Sequence, residues 1–291
     1  MASDSCNVFV IGTASLDILH FAGQMAHTAG GAGLYTALAA HHVGARAGLL
    51  APKPDPMPSP LQPIAERVQW VGPLISPEDL PRLEIEHHGG GRATLVDASW
   101  GAEPELTPEI IPAELFEASV VHIAALSTAQ RQLDFLQTLQ RYGQANPNAA
   151  GSSVATRQSL ISVGTYARLA YGDTDRVRRL LAGADLFFMN ENEAIGLFGR
   201  VDKARPRPGG LLFVTLGAAG ALVIEGDHVT HVLGNPASEL DPTGAGDTFC
   251  GATLAALARG ETAVDAARRA VALAAKTVSA VGPAALLNDR A

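Results

Sequence analysis

The residues best suited to chemistry lie late in the chain, in the run Asp-Pro-Thr-Gly-Ala-Gly-Asp-Thr-Phe at residues 241–249. Gly244 and Gly246 lack a Cβ atom, so the backbone can turn sharply and approach a ligand. If a helix begins here, the amides of residues 244–247 point outward at its N-terminus and attract phosphate oxygens. The run therefore predicts that Asp247 is a general base, which deprotonates an alcohol while the amides hold the phosphoryl group. The alternative is an Asp that caps an ordinary helix.

A second acid follows the first predicted strand, at the end of the run Gly-Thr-Ala-Ser-Leu-Asp over residues 12–17. In a doubly wound sheet, ligands lie beyond the carboxyl ends of the strands, so Asp17 is well placed to bind a polar substrate. A carboxylate can accept hydrogen bonds from two adjacent hydroxyl groups, as a sugar ring presents them. A loop Asp or a helix cap is again the alternative.

Short apolar runs alternate with helix-like segments along most of the chain. This alternation predicts one α/β domain over residues 1–291, with a mainly parallel sheet and helices on both faces. The predicted strands are Val8–Ile11, Gly48–Ala51, Val120–Ala124, Leu186–Met189, Leu211–Thr215 and Ala221–Ile224. The predicted helices are Leu34–Val43, Ala129–Gln140 and Asp175–Leu181, one from Asp247 to near Gly260, and one that begins at Thr262.

Two segments depart from this alternation. The proline-rich stretch over residues 52–63 predicts a surface connection, because proline is excluded from helix interiors and central strands. Residues 83–88 alternate apolar and polar side chains, and three glycines and a second apolar run follow, which predicts a β-hairpin. His87 and His88 lack the spacing and the ligand company of a zinc site, so they are interpreted as solvated or packed imidazoles.

Composition excludes several functional classes. The chain has 291 residues, a net charge of −8 and 47% hydrophobic residues, which indicates a globular protein rather than a nucleic-acid or anionic-membrane binder. Cys6 and Cys250 give no disulfide framework and suit a reducing cytoplasm. Neither a leader sequence nor an apolar run long enough for a membrane span is evident, so we expect a cytoplasmic protein. The sequence also lacks the phosphate-binding loop of P-loop kinases and the glycine fingerprint of dinucleotide-binding dehydrogenases.

The run over residues 241–249 resembles the C-terminal signature of the ribokinase-like (PfkB-type) carbohydrate and nucleoside kinases. The resemblance implies a ribokinase-like fold, with Asp247 as catalytic base and Gly244, Ala245 and Gly246 as the anion hole. It also implies ATP as phosphoryl donor and Mg²⁺ as cofactor. In this family a small β-sheet lid covers the substrate, which here corresponds to about residues 18–29 and 83–97, and lids often pair between subunits, so a homodimer is a further expectation.

On the acceptor side, Asp17 stands where the family has its sugar-binding Asp. The Gly30-Gly31 pair leads into an Ala-rich segment that resembles the family's N-terminal signature. The family usually has Asn where this chain has Tyr35, which predicts a larger or flatter acceptor or a rearranged pocket. Arg157 lies where several sugar-acid kinases carry Asp-x-Asn-x-Arg, but only the Arg is retained. It could pair with an acidic substrate or a phosphate, or form a surface salt bridge.

On the nucleotide side, residues 190–193 resemble the family's Asn-x-x-Glu element, which implies that Asn190 and Glu193 organise Mg²⁺ through its waters. The same residues match a helix capping box, and the two interpretations are compatible. Thr215, Gly217 and Gly220 resemble the family's nucleotide-binding segment. Asp241 and Thr243 are candidate ligands of a monovalent cation such as K⁺.

The sequence thus predicts an ATP-dependent kinase that phosphorylates an alcohol group of a small sugar, polyol or nucleoside. One alternative is a non-catalytic metabolite-binding protein on the same fold, which Tyr35 and the altered residues before Arg157 motivate. Another is a vitamin-precursor kinase of the same superfamily, which would act on a pyridine or pyrimidine alcohol.

Overall fold

The computed structural model describes residues 7–21, 23–90, 92–145 and 159–288. Its strands are β1 (Asn7–Ile11), β2 (Ser15–Phe21), β3 (Gln24–Gly30), β4 (Arg46–Leu50), β5 (Lys53–Pro54), β6 (Gln69–Val71), β7 (Leu74–Ile75), β8 (Arg82–Gly89), β9 (Arg92–Ser99), β10 (Val120–Ile123), β11 (Leu160–Gly164), β12 (Leu186–Asn190), β13 (Leu211–Thr215), β14 (Gly220–Glu225) and β15 (His228–Leu233). Its α-helices are α1 (Ala32–His42), α2 (Gln62–Ala65), α3 (Ala129–Ala145), α4 (Ala167–Gly172), α5 (Thr174–Gly183), α6 (Glu191–Phe198), α7 (Ala245–Ala258), α8 (Ala263–Thr277) and α9 (Ala284–Leu287).

The main sheet has nine strands in the order β15-β14-β13-β12-β11-β10-β1-β4-β6. Seven of them, from β13 to β6 in that order, pair in parallel, whereas β14 and β15 add an antiparallel edge. Alternate residues of a strand point to opposite faces, so Val8 and Val10 join one apolar cluster while Phe9 and Ile11 join the other. Helices α1, α7 and α8 contribute to the first cluster, and α3 and α5 contribute to the second. The predicted α/β architecture with helices on both faces is confirmed.

The predicted strands all occur, with ends that differ by no more than two residues. The predicted helices occur as well, and α3 extends furthest beyond its predicted end. Helix α8 begins one residue after its predicted start at Thr262, and Thr262 is its N-cap, whose side chain accepts a hydrogen bond from the amide of Asp265. The central strand β11 was not predicted, because its short apolar run carries no clear periodicity.

One expectation about the proline-rich stretch is wrong. The short helix α2 lies within it and contains Pro63 in its first turn. Proline is tolerated there because the first amides of a helix have no intrahelical acceptor. The buried side chains of Leu61 and Ile64 anchor this turn to the core, so the stretch is not wholly a surface connection.

A second, smaller sheet contains four strands in the order β3-β2-β8-β9, and we call it the small sheet. Strands β8 and β9 pair antiparallel, which confirms the predicted hairpin, although two irregularities interrupt the register. Its function as a lid stays a prediction. Within the described ranges, no helix has the length and apolar character needed to cross a membrane.

Candidate active site

The N-terminus of α7 carries the proposed base. Gly244 caps the helix with φ = 72° and no capping side chain, and the amide of Thr248 donates to its carbonyl at 2.8 Å. Asp247 lies in the first turn and is partly exposed. Desolvation by the surrounding protein raises the pKa of this carboxyl from 3.8 to about 7. The site thus combines a helix N-terminus with an acid that can exchange a proton near neutral pH.

Tyr35 lies against this turn. A Cβ atom on Gly244 would overlap the Tyr35 ring, so both the left-handed φ and the contact with the ring require glycine there. Tyr35 is 1% exposed, and its hydroxyl has no hydrogen-bond partner among the described residues. Burial, followed by the negative charges of Asp241, Asp17 and Asp247, raises the Tyr35 pKa well above its ordinary value. Tyr35 therefore stands as a neutral phenol among three acids.

Asp17 lies on β2, whose residues pair with β3 in the small sheet. Its Oδ1 accepts a hydrogen bond from the Leu83 amide of β8 at 3.2 Å, while its buried Oδ2 has no described partner at ordinary hydrogen-bond distance and angle, although the Ser15 side chain lies close enough to stabilise the carboxylate. A Cβ atom on Gly30 would overlap this carboxylate, so the glycine leaves room for it. Burial raises the Asp17 pKa to about 6. An acceptor hydroxyl that donates to Oδ2 would relieve the cost of leaving a buried oxygen unpaired.

Asp241 organises the turn that precedes α7. Its Oδ1 accepts from the Thr243 amide at 2.9 Å, and its Oδ2 accepts from the Gly282 amide at 2.7 Å. His87, from β8 of the small sheet, places Nε2 3.1 Å from Asp241 Oδ1 and 3.1 Å from Thr243 Oγ1. These contacts use both carboxylate oxygens, so they fit a bridged loop better than a cation held by Asp241 and Thr243.

The contact of His87 with Asp241 was not anticipated from the sequence. His87 alternates in phase with Leu83 and Ile85, which could have indicated that its side chain faces inward. Of the two interpretations given for this histidine, solvated or packed, the structure supports the packed one.

Asn190 and Glu193 form the predicted capping box at the start of α6. The Glu193 amide donates to Asn190 Oδ1 at 2.9 Å, and the Asn190 amide donates to Glu193 Oε2 at 2.8 Å. The Asn190 side chain also donates to Glu193 Oε1 at 2.7 Å. Burial is the main cause that raises the Glu193 pKa to about 8, with a smaller contribution from the negative charge of Asp247. Both Glu193 oxygens are engaged, which suits an indirect contact to Mg²⁺ through water.

The nucleotide-side candidates gather at neighbouring strand ends. Asn190 ends β12 and pairs in register with Thr215, which ends β13. Gly217 opens the short 3₁₀ turn that follows, and Gly220 begins β14. Phe188 of β12 packs edge-on against Phe249 of α7, with ring centroids 6.2 Å apart, so this edge lies close to α7. No three His, Cys, Asp or Glu side chains of the described ranges cluster as metal ligands.

Arg157 lies outside the described residues, so its predicted role stays a prediction. Cys250 is described, but it has no part in the proposed site. Cys250, one turn beyond Asp247, is buried and lies 3.6 Å from His122 Nε2, whose ring also contacts Ser162. Desolvation lowers the His122 pKa to about 3 and raises the Cys250 pKa well above its ordinary value, so both side chains are neutral core groups.

Comparison with known proteins places this geometry in context. A cytidine kinase from Thermococcus kodakarensis is 28% identical over 266 residues, which cover 87% of this chain and 89% of that enzyme. A probable sugar kinase structure from Rhizobium etli matches with a TM-score of 0.79 at 19% identity and covers 95% of this chain and 94% of that one. The structure of an adenosine kinase from Sinorhizobium meliloti matches with a TM-score of 0.78 at 19% identity, over 96% of this chain and 95% of that one. These likenesses confirm the ribokinase-like α/β fold.

The family model described as "pfkB family carbohydrate kinase" matches residues 85–290. That range includes the second part of β8, all of β9, the Asn190 capping box and the whole of α7. Because the match spans more than half of the chain, this protein belongs to the pfkB family of carbohydrate kinases.

Proposed function

We propose that this kinase transfers the γ-phosphoryl group of ATP to an alcohol group of a small polyhydroxylated acceptor, a nucleoside or a sugar, with Asp247 as general base. The observation that carries the proposal is the position of Asp247 in the first turn of α7, partly exposed and with a pKa of about 7. A base works best when its pKa lies near the working pH. Asp247 also lies beside the turn at Gly244, at the N-terminus of α7, where the first amides of a helix lack intrahelical acceptors.

In the proposed reaction, Asp247 takes the proton of the acceptor hydroxyl as its oxygen attacks the γ-phosphorus. The bond from that phosphorus to the oxygen bridging the β- and γ-phosphates then breaks, and ADP leaves with the electron pair. The amides of Gly244, Ala245, Gly246 and Asp247 hold the oxygens of the phosphoryl group, where charge accumulates. Bound Mg²⁺ would neutralise further negative charge on the phosphates.

The acceptor is proposed to lie between α7 and the small sheet. The buried Oδ2 of Asp17 supports this placement, because it lacks a hydrogen bond of ordinary geometry and can accept one from a sugar hydroxyl. Gly30 and Gly31 lie at the junction of β3 and α1, and the Tyr35 hydroxyl offers a second unpaired group close to the acids. Relatives that act on cytidine and adenosine favour ribonucleosides as the first acceptors to test.

The nucleotide is proposed to lie over the strand ends that carry Asn190, Thr215 and Gly217, with Gly220 shaping the turn beneath it. Asn190 is exposed beside Thr215, which supports a role near the phosphates. Glu193 is 4% exposed, and both of its carboxylate oxygens accept hydrogen bonds from Asn190. It would therefore hold the start of α6 in place and contact Mg²⁺ only through water.

The small sheet is proposed to pair two copies of the chain as well as to cover the acceptor. Its strands leave Met25 and Val96 59% and 53% exposed, which supports a contact surface. Sedimentation of the purified protein across a concentration series would detect the dimer. A monomer at all concentrations would contradict this part of the proposal.

The experiment that tests the function measures ADP release from ATP and Mg²⁺ with a panel of acceptors. The panel contains cytidine, adenosine, inosine, ribose and fructose, together with pyridine and pyrimidine alcohols. We expect ADP formation that depends on a nucleoside or a sugar. Activity only with the pyridine or pyrimidine alcohols would favour the vitamin-precursor alternative. If none of these acceptors gives ADP although the protein binds a ligand, the result would contradict catalysis and favour a binding protein.

A further inference from the structure

His87 links the small sheet to the turn that precedes α7. Its side chain is 4% exposed, and the carboxylate that it faces, on Asp241, is fully buried. Nε2 lies within hydrogen-bond distance of Asp241 Oδ1 and of Thr243 Oγ1. With a proton on Nε2, the imidazole can donate to the carboxylate. The remaining ring nitrogen, Nδ1, is buried and has no partner in the described part of the chain.

Asp241 joins three parts of the chain through this contact. Besides His87, it accepts from the amide of Thr243, the residue before Gly244, and from the amide of Gly282, beyond the C-terminus of α8. A buried carboxylate is costly unless its oxygens are hydrogen-bonded, so each of these bonds helps to fix the turn. Without the His87 contact, the turn would still be held by its chain neighbours, by the Gly282 amide and by the Val278 carbonyl, which accepts from the amides of Leu240 and Asp241, but it would lose its tie to the small sheet.

The same strand reaches the acceptor side. Strand β8 donates through the Leu83 amide to Asp17 Oδ1 at 3.2 Å and reaches Asp241 through His87 four residues later. Strand β8 is therefore bonded both to Asp17 of the neighbouring strand β2, the acid proposed to bind the acceptor, and to the turn proposed to bind the phosphoryl group. A lid with only a covering role would not require the second, buried contact.

His87 also lies where a monovalent cation would have to bind. A cation held by Asp241 and Thr243 needs their oxygen atoms, and in the structure these atoms face an imidazole and two backbone amides. Hydrogen-bond donors at these distances take the place of a cation's positive charge.

We propose that His87 is a positioning residue, which holds the turn at Asp241 and Thr243 from the small sheet and stands where a monovalent cation would bind. The part that concerns catalysis rests on the proposed function. The part that concerns the turn and the cation does not, and it can be tested on the ligand-free protein.

The first test is hydrogen–deuterium exchange of the full-length protein over residues 241–247. His87→Ala should raise the exchange rate of this segment by about tenfold or more, because the turn loses one of its ties. His88→Ala is the matched control, since His88 is the adjacent residue, is exposed and bonds Thr94 within the small sheet. Equal protection in His87→Ala, His88→Ala and the unsubstituted protein would overturn the proposal.

The second test measures thermal unfolding in KCl, NaCl and tetramethylammonium chloride at equal ionic strength. The unsubstituted protein should show the same Tm in all three salts to within about 1 °C, since binding to the folded state alone raises Tm. A rise that is specific for K⁺ would overturn the claim that His87 replaces the cation.

The kinetic test uses the acceptor that gives the highest rate in the panel. His87→Ala should lower kcat by about tenfold or more, while the KM for ATP changes by less than about threefold, as expected for a group that acts on the transition state. His87→Gln keeps a donor near Asp241 and should recover most of the rate, whereas His88→Ala should behave as the unsubstituted protein. An unchanged kcat in His87→Ala would overturn the catalytic part. If the unsubstituted protein is inactive with every acceptor, the proposed function fails, and the first two tests still decide the role of His87 in the turn.

Discussion

Asp247 and Asp265 occupy the same place in two consecutive helices that pack together, the third residue of α7 and of α8, yet their pKa values are shifted in opposite directions. Desolvation raises the Asp247 pKa to about 7. A hydrogen bond from the Thr262 hydroxyl, helped by Arg268, lowers the pKa of Asp265. Position in the helix is therefore not what distinguishes them. The missing cap and the surrounding protein make Asp247 the acid that can act as a base.

The pH dependence of kcat/KM should follow the ionisation of the Asp247 carboxyl group. Below its pKa of about 7 the carboxyl is protonated and cannot accept the proton of the acceptor, so kcat/KM should rise about tenfold per pH unit up to pH 7 and level off above about pH 8. Initial rates between pH 5.5 and 9 measure this profile. Asp265→Asn should keep the same profile, and a rate that is constant across this range would contradict the assignment.

Folding stability should change with pH in the opposite direction to kcat/KM, because of the same carboxyl group of Asp247. The folded state raises the pKa of this carboxyl, so between about pH 4 and pH 7 the folded protein binds more protons than the unfolded chain and loses stability as pH rises. Asp247→Asn removes this cost, so it should raise the Tm of the ligand-free protein by roughly 3–5 °C at pH 8 and by little at pH 4. Thermal unfolding at both pH values measures the difference. Asp265→Asn is the contrast, since it removes a favourable charge and should not raise Tm at pH 8.

The contact between Gly244 and Tyr35 predicts a sharp difference between two neighbouring glycines. Gly244→Ala places a methyl group against the Tyr35 ring in a left-handed backbone and should lower stability by about 1–3 kcal/mol. Gly246→Ala meets nothing within 4 Å in a helical position and should be neutral or slightly stabilising. Denaturant unfolding compares the two. Equal effects would show that the turn at Gly244 is not constrained as described.

The buried hydroxyl of Tyr35 is predicted to lower the stability of the ligand-free protein and to strengthen acceptor binding. An unpaired buried hydroxyl costs about 1–3 kcal/mol, so Tyr35→Phe should leave the Tm of the ligand-free protein unchanged or raise it. If the acceptor bonds this hydroxyl, the same change should raise the acceptor KM by about 3- to 30-fold. Tyr171→Phe is the control, because Tyr171 is exposed and its hydroxyl bonds Asn192. An unchanged KM in Tyr35→Phe would remove Tyr35 from the acceptor site.

The parts of the site that could be predicted from the sequence are local in the chain. The turn at Gly244 and the first-turn Asp247 lie within four residues, so the run itself fixes how they stand relative to the helix. The capping box of Asn190 and Glu193 is predictable for the same reason. The alternation of strands and helices gave the main sheet, because each apolar run of a parallel strand is buried on both faces.

The remaining features depend on contacts between distant segments. His87 meets Asp241 only because the small sheet packs over the turn before α7, and nothing near either residue in the sequence indicates the other. The shifted pKa of Asp247 and the unpaired hydroxyl of Tyr35 likewise arise from desolvation, which depends on what packs around them. Alternation in β8 could indicate that His87 faces inward but could not identify its partner.

The most direct test of the central claim compares kcat for the unsubstituted protein, Asp247→Asn and Asp265→Asn with the best acceptor of the panel. Asp247→Asn keeps the shape of the side chain and removes the base, so kcat should fall by about 10²- to 10⁴-fold while ATP still binds. Asp265→Asn, at the same helix position but in solvent, should stay within about twofold of the unsubstituted protein, as a surface substitution away from the site does. Near-normal turnover in Asp247→Asn would contradict the account.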